Sequence, residues 1–427
     1  MKKQSQKNII LYVGKFFGSM IADLRRYEKK QKTKFRIAYL FDLKNTSASY
    51  QNKLENNVDI LIPCNPSSDI SIQKALLPYQ DELFAVTFRG EDQASLFQKI
   101  IPHVPYMKTP TETSLTWATE KLSMRRRLYT ADKKITPSYT VVSDTSRASM
   151  KKIEEKVGFP LIVKPSGLAA SRLVSICYHK EELKVVLDKV FKKIHKVYKE
   201  TQGRGEPKVL VEQFMEGEMY SIDIYITSRG KVYFCPLVHV KTGKLIGFDD
   251  FFGYQQITPT LLKPSSVQIA EDVAKKAVHT LGLRSTSAHV ELMKTEDGWK
   301  VIEVGPRIGG FRHIMYHLSY NINHSMNDVL IHAGKKPIIP KKKLGYSVAM
   351  KFFAKKEGKL KKLSGIKKAQ TLASFNRIYI NKKIGDSCAY AKNGGTSVFN
   401  IILFNKDRSK LLADIRRLEQ MIRIDTV

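Results

Sequence analysis

Two glutamates, Glu291 and Glu303, give the clearest chemical signal in this chain. Alternating apolar runs at 288–294 and 299–304 flank residues 295–298, whose Glu-Asp-Gly predicts a tight turn between two strands. Such a hairpin places the two carboxylates opposite each other, roughly 4.5 to 5.5 Å apart, where like charges are destabilising. We therefore predict a cation between them. Two glutamates on a hairpin are also common on solvated surfaces, but carboxylate ligation suits Mg²⁺, which takes further oxygens from substrate phosphates.

The exit from the second strand supports a functional interpretation. Glu303 is followed by Val-Gly-Pro-Arg-Ile-Gly-Gly, which carries a single cation, Arg307, and two adjacent glycines, Gly309 and Gly310. Glycines permit close approach of the backbone to a ligand, and functional residues concentrate where strands end. The hairpin and its exit together predict a metal site that binds a phosphate.

Length and cysteine usage restrict the class of protein. A chain of 427 residues predicts two to four domains. The four cysteines are scattered without a CxxC pair, which argues against a zinc site or a disulfide framework and favours a reducing cytoplasm. The basic start is followed by only a short apolar run, so we interpret it as a first strand rather than a signal peptide. No window reaches the 18 apolar residues of a membrane span.

The formal net charge of +33 bears on partners rather than on fold. An RNA partner, an anionic membrane surface and a lysine-rich compositional drift all account for it. We favour drift, because the lysines are spread along the chain and no RNA-binding motif accompanies them. The densest region, 341–368, is interrupted by a strand-like segment, so we do not expect specific nucleic-acid binding.

The amino-terminal part alternates apolar strands with polar helical stretches, which predicts a parallel sheet of the Rossmann-like type over residues 1–115. The predicted strands are 8–13, 35–41, 58–63 and 83–88. Gly14 and Gly18 are only a fragment of a dinucleotide fingerprint, and a tight strand-to-helix turn explains them better.

The remaining chain divides into a central module and an α+β appendage. We predict a helix over 114–128, a lid subdomain at about 136–207, a long loop over 241–264 and a helix over 267–281. For residues 336–427 we predict a strand at 346–353, a hairpin near 357–358 and a closing helix at 408–422.

Four segments in series resemble the ATP-grasp superfamily, and within it the carboxylate-amine ligases typified by L-amino acid ligases. They read KLSMRRRL followed by ITPSY, GFPLIVKPSGLAASRLV, VLVEQFMEGEMYSID, and SAHVELMKTEDGWKVIEVGPRIGG. Each segment alone is weak, but their order and spacing together are specific. The resemblance spans nearly the whole chain. It implies an ATP-grasp fold, α/β and α+β, whose ATP-grasp domain covers 116–335.

The resemblance also implies a role for individual residues. Lys121 and Lys164 resemble the lysines that hold the nucleotide phosphates, and the loop with Ser166, Gly167 and Ser171 resembles the phosphate-covering loop. Glu212, with Gln213, Phe214 and Met215, resembles the hinge that binds adenine. Glu291 and Glu303 resemble the metal ligands, and Arg307 resembles the catalytic arginine. His289 lies on the same strand face as Glu291 and is interpreted as orienting it rather than binding Mg²⁺.

Two positions depart from the family pattern. The ribose-binding glutamate expected seven residues after Glu212 is Met219, so either Glu218 substitutes or ribose binding is loose. The asparagine expected after the second metal glutamate is Gly305, so water or another side chain must fill its place. The second departure leaves open whether one or two metal ions bind.

The activity implied is ATP-dependent ligation, in which a carboxylate is activated as an acyl phosphate and attacked by an amine. ATP and Mg²⁺, or Mn²⁺, are the implied cofactors, and small-molecule acids and amines are the implied partners. Tyr254, Arg312 and His313 are candidates for substrate contact. A degenerate nucleotide-binding protein that docks an acidic partner, a carboxylation or nucleotide-biosynthesis enzyme, and a homodimer all stay open at this point.

Overall fold

The computed structural model describes residues 7–14, 19–44, 46, 57–168, 172–201 and 207–427. Its amino-terminal unit confirms the predicted parallel sheet, which, in the described residues, has the strand order β3-β2-β1-β4. The strands are β1 (Ile9–Val13), β2 (Arg36–Asp42), β3 (Ile60–Cys64) and β4 (Leu83–Phe88). Helices α1 (Ser19–Gln31), α2 (Asp69–Leu76) and α3 (Ala94–Ile100) accompany them. All five residues of β1 are buried, as expected for a central strand covered on both faces. Most of the turn that follows β1, residues 15–18, lies outside the described residues.

The connection to the next unit corrects one prediction. The stretch expected as one helix over 114–128 forms two, α4 (Glu112–Thr119) and α5 (Lys121–Ala131). Glu120 separates them with an extended backbone, φ −95° and ψ 109°. The amide of Lys121 donates instead to the carbonyl of Ser166 at 3.1 Å, so the break attaches α5 to the loop that follows the strand Leu161–Pro165.

The unit that follows spans the residues predicted to form the lid subdomain and extends to Gln213. In the part of the chain that is described, an antiparallel sheet with the order β5-β8-β6-β7 is formed by β5 (Tyr139–Val142), β6 (Leu161–Pro165), β7 (Ser175–Cys177) and β8 (Val209–Gln213). Helices α6 (Arg147–Lys156) and α7 (Lys180–Thr201) belong to it. The apolar stripe of α7 packs into its core, where Leu183, Leu187 and Ile194 are fully buried.

A long sheet continues from this unit to the carboxyl terminus. Over the described ranges its order is β14-β13-β9-β11-β12-β15-β19-β17, with β10 paired to β9. Its first strands are β9 (Glu218–Ile226), β10 (Val232–Phe234), β11 (Val238–Thr242), β12 (Gly253–Thr258), β13 (Thr286–Thr295) and β14 (Gly298–Gly305). Helix α8 (Pro264–Thr280) packs against β13 and β14 through Ala270, Ala274 and Ala277. The predicted long loop at 241–264 is therefore wrong, because β12 lies within it and pairs with β11 and β15.

The carboxyl-terminal part extends this sheet with β15 (Tyr346–Phe352), β17 (Phe375–Ile380) and β19 (Phe399–Asn405). The hairpin expected near 357–358 is also wrong. β15 pairs with β12 and β19, whereas β16 (Gly358–Ser364) pairs with β18 (Ser387–Cys388) and β20 (Arg423–Thr426). The helices here are α9 (Arg312–Tyr320), α10 (His324–His332), α11 (Ile366–Ala369) and α12 (Arg408–Met421). None of the helices within the described ranges is long and apolar enough to cross a membrane.

Candidate nucleotide and metal site

The predicted pairing of the two glutamates is confirmed. Glu291 of β13 lies directly opposite Glu303 of β14, and a bulge follows immediately, because Leu292 pairs with Val301. The turn is as tight as its sequence indicated, since Thr295 pairs with Gly298. The glutamate side chains are 32% and 29% exposed, so both carboxylates are accessible at a cleft wall. Facing carboxylates of this kind suit a hard divalent cation.

Lys121 supplies a positive charge beside this pair. Its ammonium donates to Oε1 of Glu303 at 3.0 Å and to the carbonyl of Leu168 at 2.7 Å. Burial opposes the charged form, but the carboxylates of Glu303 and Glu91 outweigh it and raise the pKa of Lys121. One lysine thus joins the hairpin to the loop after β6, which is the loop predicted to cover phosphates.

Behind Glu291 lies a buried ionic cluster that the sequence did not reveal. Asp223 of β9 is fully buried, and its two carboxylate oxygens lie 2.6 Å from Nδ1 of His289 and 2.6 Å from Nε2 of His324. The other ring nitrogen of His289 is 3.6 Å from Glu291. Burial opposes ionisation of Glu291, but the nearby His289 imidazole and the charge of Arg307 lower its pKa. Asp223 therefore fixes the imidazole that faces Glu291.

Arg307 contacts the amino-terminal unit. Its Nη2 donates to Oε2 of Glu91 at 3.1 Å, in the segment that follows β4. A Cβ atom at position 305 would lie 3.5 Å from the same oxygen and 3.5 Å from Cζ of Arg307. A side chain at position 305 would therefore begin in ordinary contact with this ion pair.

Lys164 and Glu212 form a second ion pair, in the lid sheet. The Lys164 ammonium lies 2.7 Å from Oε2 of Glu212, and Arg125 binds the same carboxylate through Nε at 2.8 Å and Nη2 at 3.2 Å. Glu212 is 3% exposed and Arg125 is fully buried. Burial favours the protonated acid, but Arg125 and Lys164 lower the pKa of Glu212. The carboxylate predicted to accept from adenine is therefore anchored by two cations.

The small-residue loop begins where predicted. The amide of Gly167 donates to the hydroxyl of Tyr198 at 2.7 Å, and Oγ of Ser166 is 3.4 Å from the same hydroxyl. Ser171, a predicted phosphate contact, lies outside the described residues.

A cavity of about 560 Å³ lies beside the predicted adenine hinge. The hinge residues Gln213, Phe214 and Met215 line it together with Glu218, and residues of the β13–β14 turn face them. A Cβ at position 217 would meet the carbonyl of Lys294 at 2.1 Å, and Gly217 has φ +147°, so only glycine permits this close approach. Glu218, beside Met219, lines this cavity with its side chain 57% exposed, and Glu216, Glu296 and Asp297 line it as well.

The three candidates for substrate contact separate in space. Arg312 is 2% exposed and donates to Gln256 at 2.6 Å and to Ser221 at 2.7 Å. His313 follows it on α9, and burial, together with the nearby Arg89, lowers the pKa of His313 to about 3. Tyr254 instead donates to Glu419 of α12 at 2.9 Å and packs beside Phe352 in the carboxyl-terminal core. Arg312 and His313 are thus neighbours on α9, whereas Tyr254 lies in the carboxyl-terminal core.

The two hairpin glutamates are donors that suit Mg²⁺. The hairpin offers one oxygen-bearing side chain from each strand, and the chemistry of these donors fits a hard cation. Among the described residues there is no group of three or more acidic, histidine or cysteine side chains arranged to hold a metal. Glu291 and Glu303 are thus the residues that would hold Mg²⁺, with the remaining ligands drawn from phosphate and water.

Comparison with known proteins agrees with this geometry. Residues 157–314 match the ATP-grasp domain family, a range that includes Lys164, Glu212, both hairpin glutamates and Arg307. The chain is 29% identical over 172 residues to the alanine–anticapsin ligase of Bacillus amyloliquefaciens, which covers 38% of this chain and 35% of that protein. It is 26% identical over 268 residues to an uncharacterized protein of Sinorhizobium fredii, covering 62% and 52%. The alignments therefore span about half or less of these relatives' length.

Solved structures extend the likeness to the whole chain. An L-amino acid ligase from Bacillus licheniformis superposes with a TM-score of 0.79 at 17% identity, covering 99% of this chain and 100% of that one. A phosphoribosylglycinamide synthetase from Anaerococcus prevotii gives a TM-score of 0.67 at 16% identity, covering 98% and 100%. At such identities the likeness establishes the fold, and the ATP-grasp fold predicted from the sequence is confirmed.

Proposed function

Because this chain carries an ATP-grasp domain, we propose that it is an ATP-dependent carbon–nitrogen ligase that joins a small carboxylic acid to an amine. The reaction would form an acyl phosphate and ADP, and attack by the amine would release phosphate. The names of the relatives, an alanine–anticapsin ligase and a phosphoribosylamine–glycine ligase, support this class of reaction.

One observation carries the proposal, namely the bridge that Lys121 makes between Glu303 and the carbonyl of Leu168. It brings the predicted metal ligand and the predicted phosphate loop to the same ammonium group. A lysine so placed can neutralise transferred phosphate oxygens, while the opposed glutamates supply oxygen ligands. Neither element by itself would define a phosphoryl-transfer site.

The chain's own residues account for the steps around the transferred phosphate. The hinge at 213–215 and Glu218 would bind the base and ribose in the cavity they line. Lys164 and Lys121 would hold the phosphates, and Mg²⁺ at Glu291 and Glu303, when bound, would offset the negative charge on the phosphate oxygens. Arg307, at the exit of β14, would stabilise charge that develops on the acyl phosphate and on the tetrahedral intermediate.

The two cations on Glu212 support a phosphate-binding role for Lys164. Burial, which outweighs the attraction of Glu212, lowers the pKa of Lys164. An ATP phosphate beside this ammonium would provide a second anion and favour its charged form. Lys164 would then bind a nucleotide phosphate while Arg125 continues to compensate Glu212.

A screen for ADP release tests the proposal. Purified protein with ATP and Mg²⁺ is incubated with pairs of carboxylic acids and amines, and products are identified by mass spectrometry. We expect ADP release that requires both substrates, together with an amide product. If ADP release does not respond to any acid or amine, the ligase proposal is wrong. Glu303→Gln serves as the inactive control, and Glu181→Gln, an exposed position on α7, is the matched control.

A further inference from the structure

A buried arginine beside the site has hydrogen-bond donors without acceptors. Arg89 directly follows β4 and is 5% exposed, yet its Nε and Nη2 atoms have no hydrogen-bond partner among the described residues. These two atoms carry three of the five N–H groups of the guanidinium. The nearest carboxylate oxygen, Oδ2 of Asp328, is 3.9 Å from Nε and already accepts from Thr87 at 2.9 Å. A buried cation with unused donors is costly unless an anion satisfies it.

The position of Arg89 in the fold is one where ligands bind. β1 and β4 are neighbours at the edge of the order β3-β2-β1-β4, and the chain leaves β1 towards β2 on the opposite side. The carboxyl ends of parallel strands at such a reversal form a crevice. Arg89 lies at this end of β4.

His313 adds a second unused donor or acceptor to the crevice. Its Nε2 atom is buried and has no hydrogen-bond partner in the described part of the chain. His313 is two residues after Phe311, whose ring lies 5.9 Å from the Lys351 ammonium and 6.2 Å from the Tyr379 ring. Burial, and with it the charges of Arg89 and Arg377, lower the pKa of the His313 imidazole. A neutral imidazole adds no negative charge to these arginines, so Asp328, 3.9 Å from Nε of Arg89, is the carboxylate that faces Arg89.

Two more cations lie on the sheet face next to the start of α9. Lys351 of β15 is in register with Asn400, which is in register with Tyr379, so Lys351 and Tyr379 share one face. The Lys351 ammonium is 5.9 Å from the ring of Phe311, whose ring is 6.2 Å from that of Tyr379. Arg377, two residues before Tyr379, donates to its hydroxyl at 3.4 Å. Neither Lys351 nor Arg377 has a carboxylate within 4.0 Å in the regions described.

The cationic crevice, defined as Arg89, His313, Lys351 and Arg377, adjoins the reaction centre. Glu91 is two residues from Arg89, so their Cα atoms are at most about 7 Å apart, and Glu91 accepts from Arg307 at 3.1 Å. Arg89 therefore lies close to the ion pair that holds Arg307.

We propose that the cationic crevice binds an anionic group, a carboxylate or a phosphate, carried by a substrate in addition to the carboxylate that is activated. This inference rests on the proposed function and deepens it. The group has two sources, a second acidic group on the acid or the carboxylate of an amino acid that serves as the amine. Both present the same chemistry to Arg89, and the experiment separates them.

The binding test needs no turnover. Thermal unfolding is followed with Mg²⁺ and ADP, at constant ionic strength, in succinate or in succinamate, which lacks the second charge. We expect succinate to raise the Tm more than succinamate, and Arg377→Gln and Lys351→Met to abolish this difference. Arg147→Gln, an exposed arginine on α6, is the matched control and should keep it. Equal stabilisation of the native protein by both compounds would overturn the inference, whether or not the protein is a ligase.

The kinetic test identifies the source. Acids with and without a second carboxylate, and amino acids with their carboxamides, are compared as substrates of the native protein and of Arg377→Gln, Lys351→Met and Arg89→Gln. We expect the KM of the doubly charged acid, or of the amino acid, to rise roughly 10- to 100-fold, as for loss of a charge-assisted hydrogen bond. The KM of the uncharged analogue should stay within about twofold.

Different results would contradict the anion-binding inference and the ligase proposal. If the variants lower stability but shift the KM of charged and uncharged substrates equally, Arg89 only joins the two units and the crevice binds no anion. Succinate-specific stabilisation without ADP release from any acid and amine would leave the crevice in place and refute the ligase. Because Arg377 is exposed and Lys351 is only partly buried, their variants keep the test valid if Arg89→Gln does not fold.

Discussion

Arg307 donates a hydrogen bond to Glu91 at 3.1 Å, and this ion pair joins the exit of the glutamate hairpin to the parallel sheet of the amino-terminal unit. Their side chains are 24% and 14% exposed, so the pair lies at the wall of the cleft. Burial works against the guanidinium, but Glu91 and Glu291 outweigh it and raise the pKa of Arg307. The orientation of the proposed catalytic arginine thus depends on a residue more than two hundred positions away.

Glu91→Ala tests this dependence. We expect kcat to fall about 10- to 100-fold, since Arg307 would lose its orienting partner, while the KM for ATP changes little. Glu91→Gln retains an oxygen acceptor and should restore most of the activity. Steady-state kinetics of the three proteins measure this, with Glu155→Ala on exposed α6 as control. Equal losses in the alanine and glutamine variants would show that the charge of Glu91, rather than its position, matters.

The glutamate pair is tested by Glu303→Gln. We expect kcat to fall about 10²- to 10³-fold, the range for removing one group that stabilises charge in the transition state. The Mg²⁺ concentration for half-maximal ADP release should also rise, and titration of Mn²⁺ binding gives a measure independent of turnover. Activity of Glu303→Gln within twofold of the native protein would refute the metal assignment.

Glu212 and Glu218 separate an anchoring role from a nucleotide-binding role. Glu212→Ala leaves the fully buried Arg125 uncompensated, so we expect the free energy of unfolding to fall by about 3–5 kcal/mol. Glu218→Gln changes an exposed carboxylate, so stability should stay within about 0.5 kcal/mol while the KM for ATP rises. Urea unfolding and ATP kinetics on both variants decide this. An unchanged KM in Glu218→Gln would leave the ribose without this contact.

His313 predicts an acid-sensitive fold. Its pKa is lowered to about 3, so the unfolded chain, with a histidine pKa of roughly 6.5, binds more protons below that pH. Stability contributed by the neutral imidazole is therefore present above about pH 6.5 and is lost as the pH falls towards 3. By pH 5 we expect a loss of about 1–2 kcal/mol, allowing for partial exposure.

The comparison variant for this prediction is His313→Asn, which cannot titrate in this range. Urea unfolding of both proteins between pH 7 and 5 should show a smaller loss of stability in the variant. Parallel pH profiles in the native and variant proteins would show that His313 is not the group responsible.

Local sequence patterns predicted the elements that carry the site. The strands of the amino-terminal sheet follow, within a few residues, from their apolar runs and the polar stretches between them. The turn pairs Thr295 with Gly298, and this register by itself would place Glu291 opposite Ile302. The bulge between Glu291 and Leu292 shifts the register by one residue and brings Glu303 opposite Glu291. Lys121 and Lys164 required the resemblance, since a single lysine has no distinguishing local pattern.

Two predictions were wrong where a strand pairs with a strand far away in the sequence. The expected loop at 241–264 contains β12, whose partner β15 begins at Tyr346, and the expected hairpin near 357–358 divides between two sheets. The periodicity of a strand predicts its buried face, but it does not predict which distant strand will pair with it.

By itself, the sequence determined the fold, the opposed glutamates and the order of the site's parts. Only the tertiary structure decided their partners: Arg125 for Glu212, Asp223 for His289 and Glu91 for Arg307. The physical reason is range. Backbone alternation and turn geometry are local properties that neighbouring residues specify, whereas an ion pair depends on distance in space and on burial, which folding establishes between distant segments. The unsatisfied donors of Arg89 also depend on the tertiary structure, because they are costly only when folding buries them.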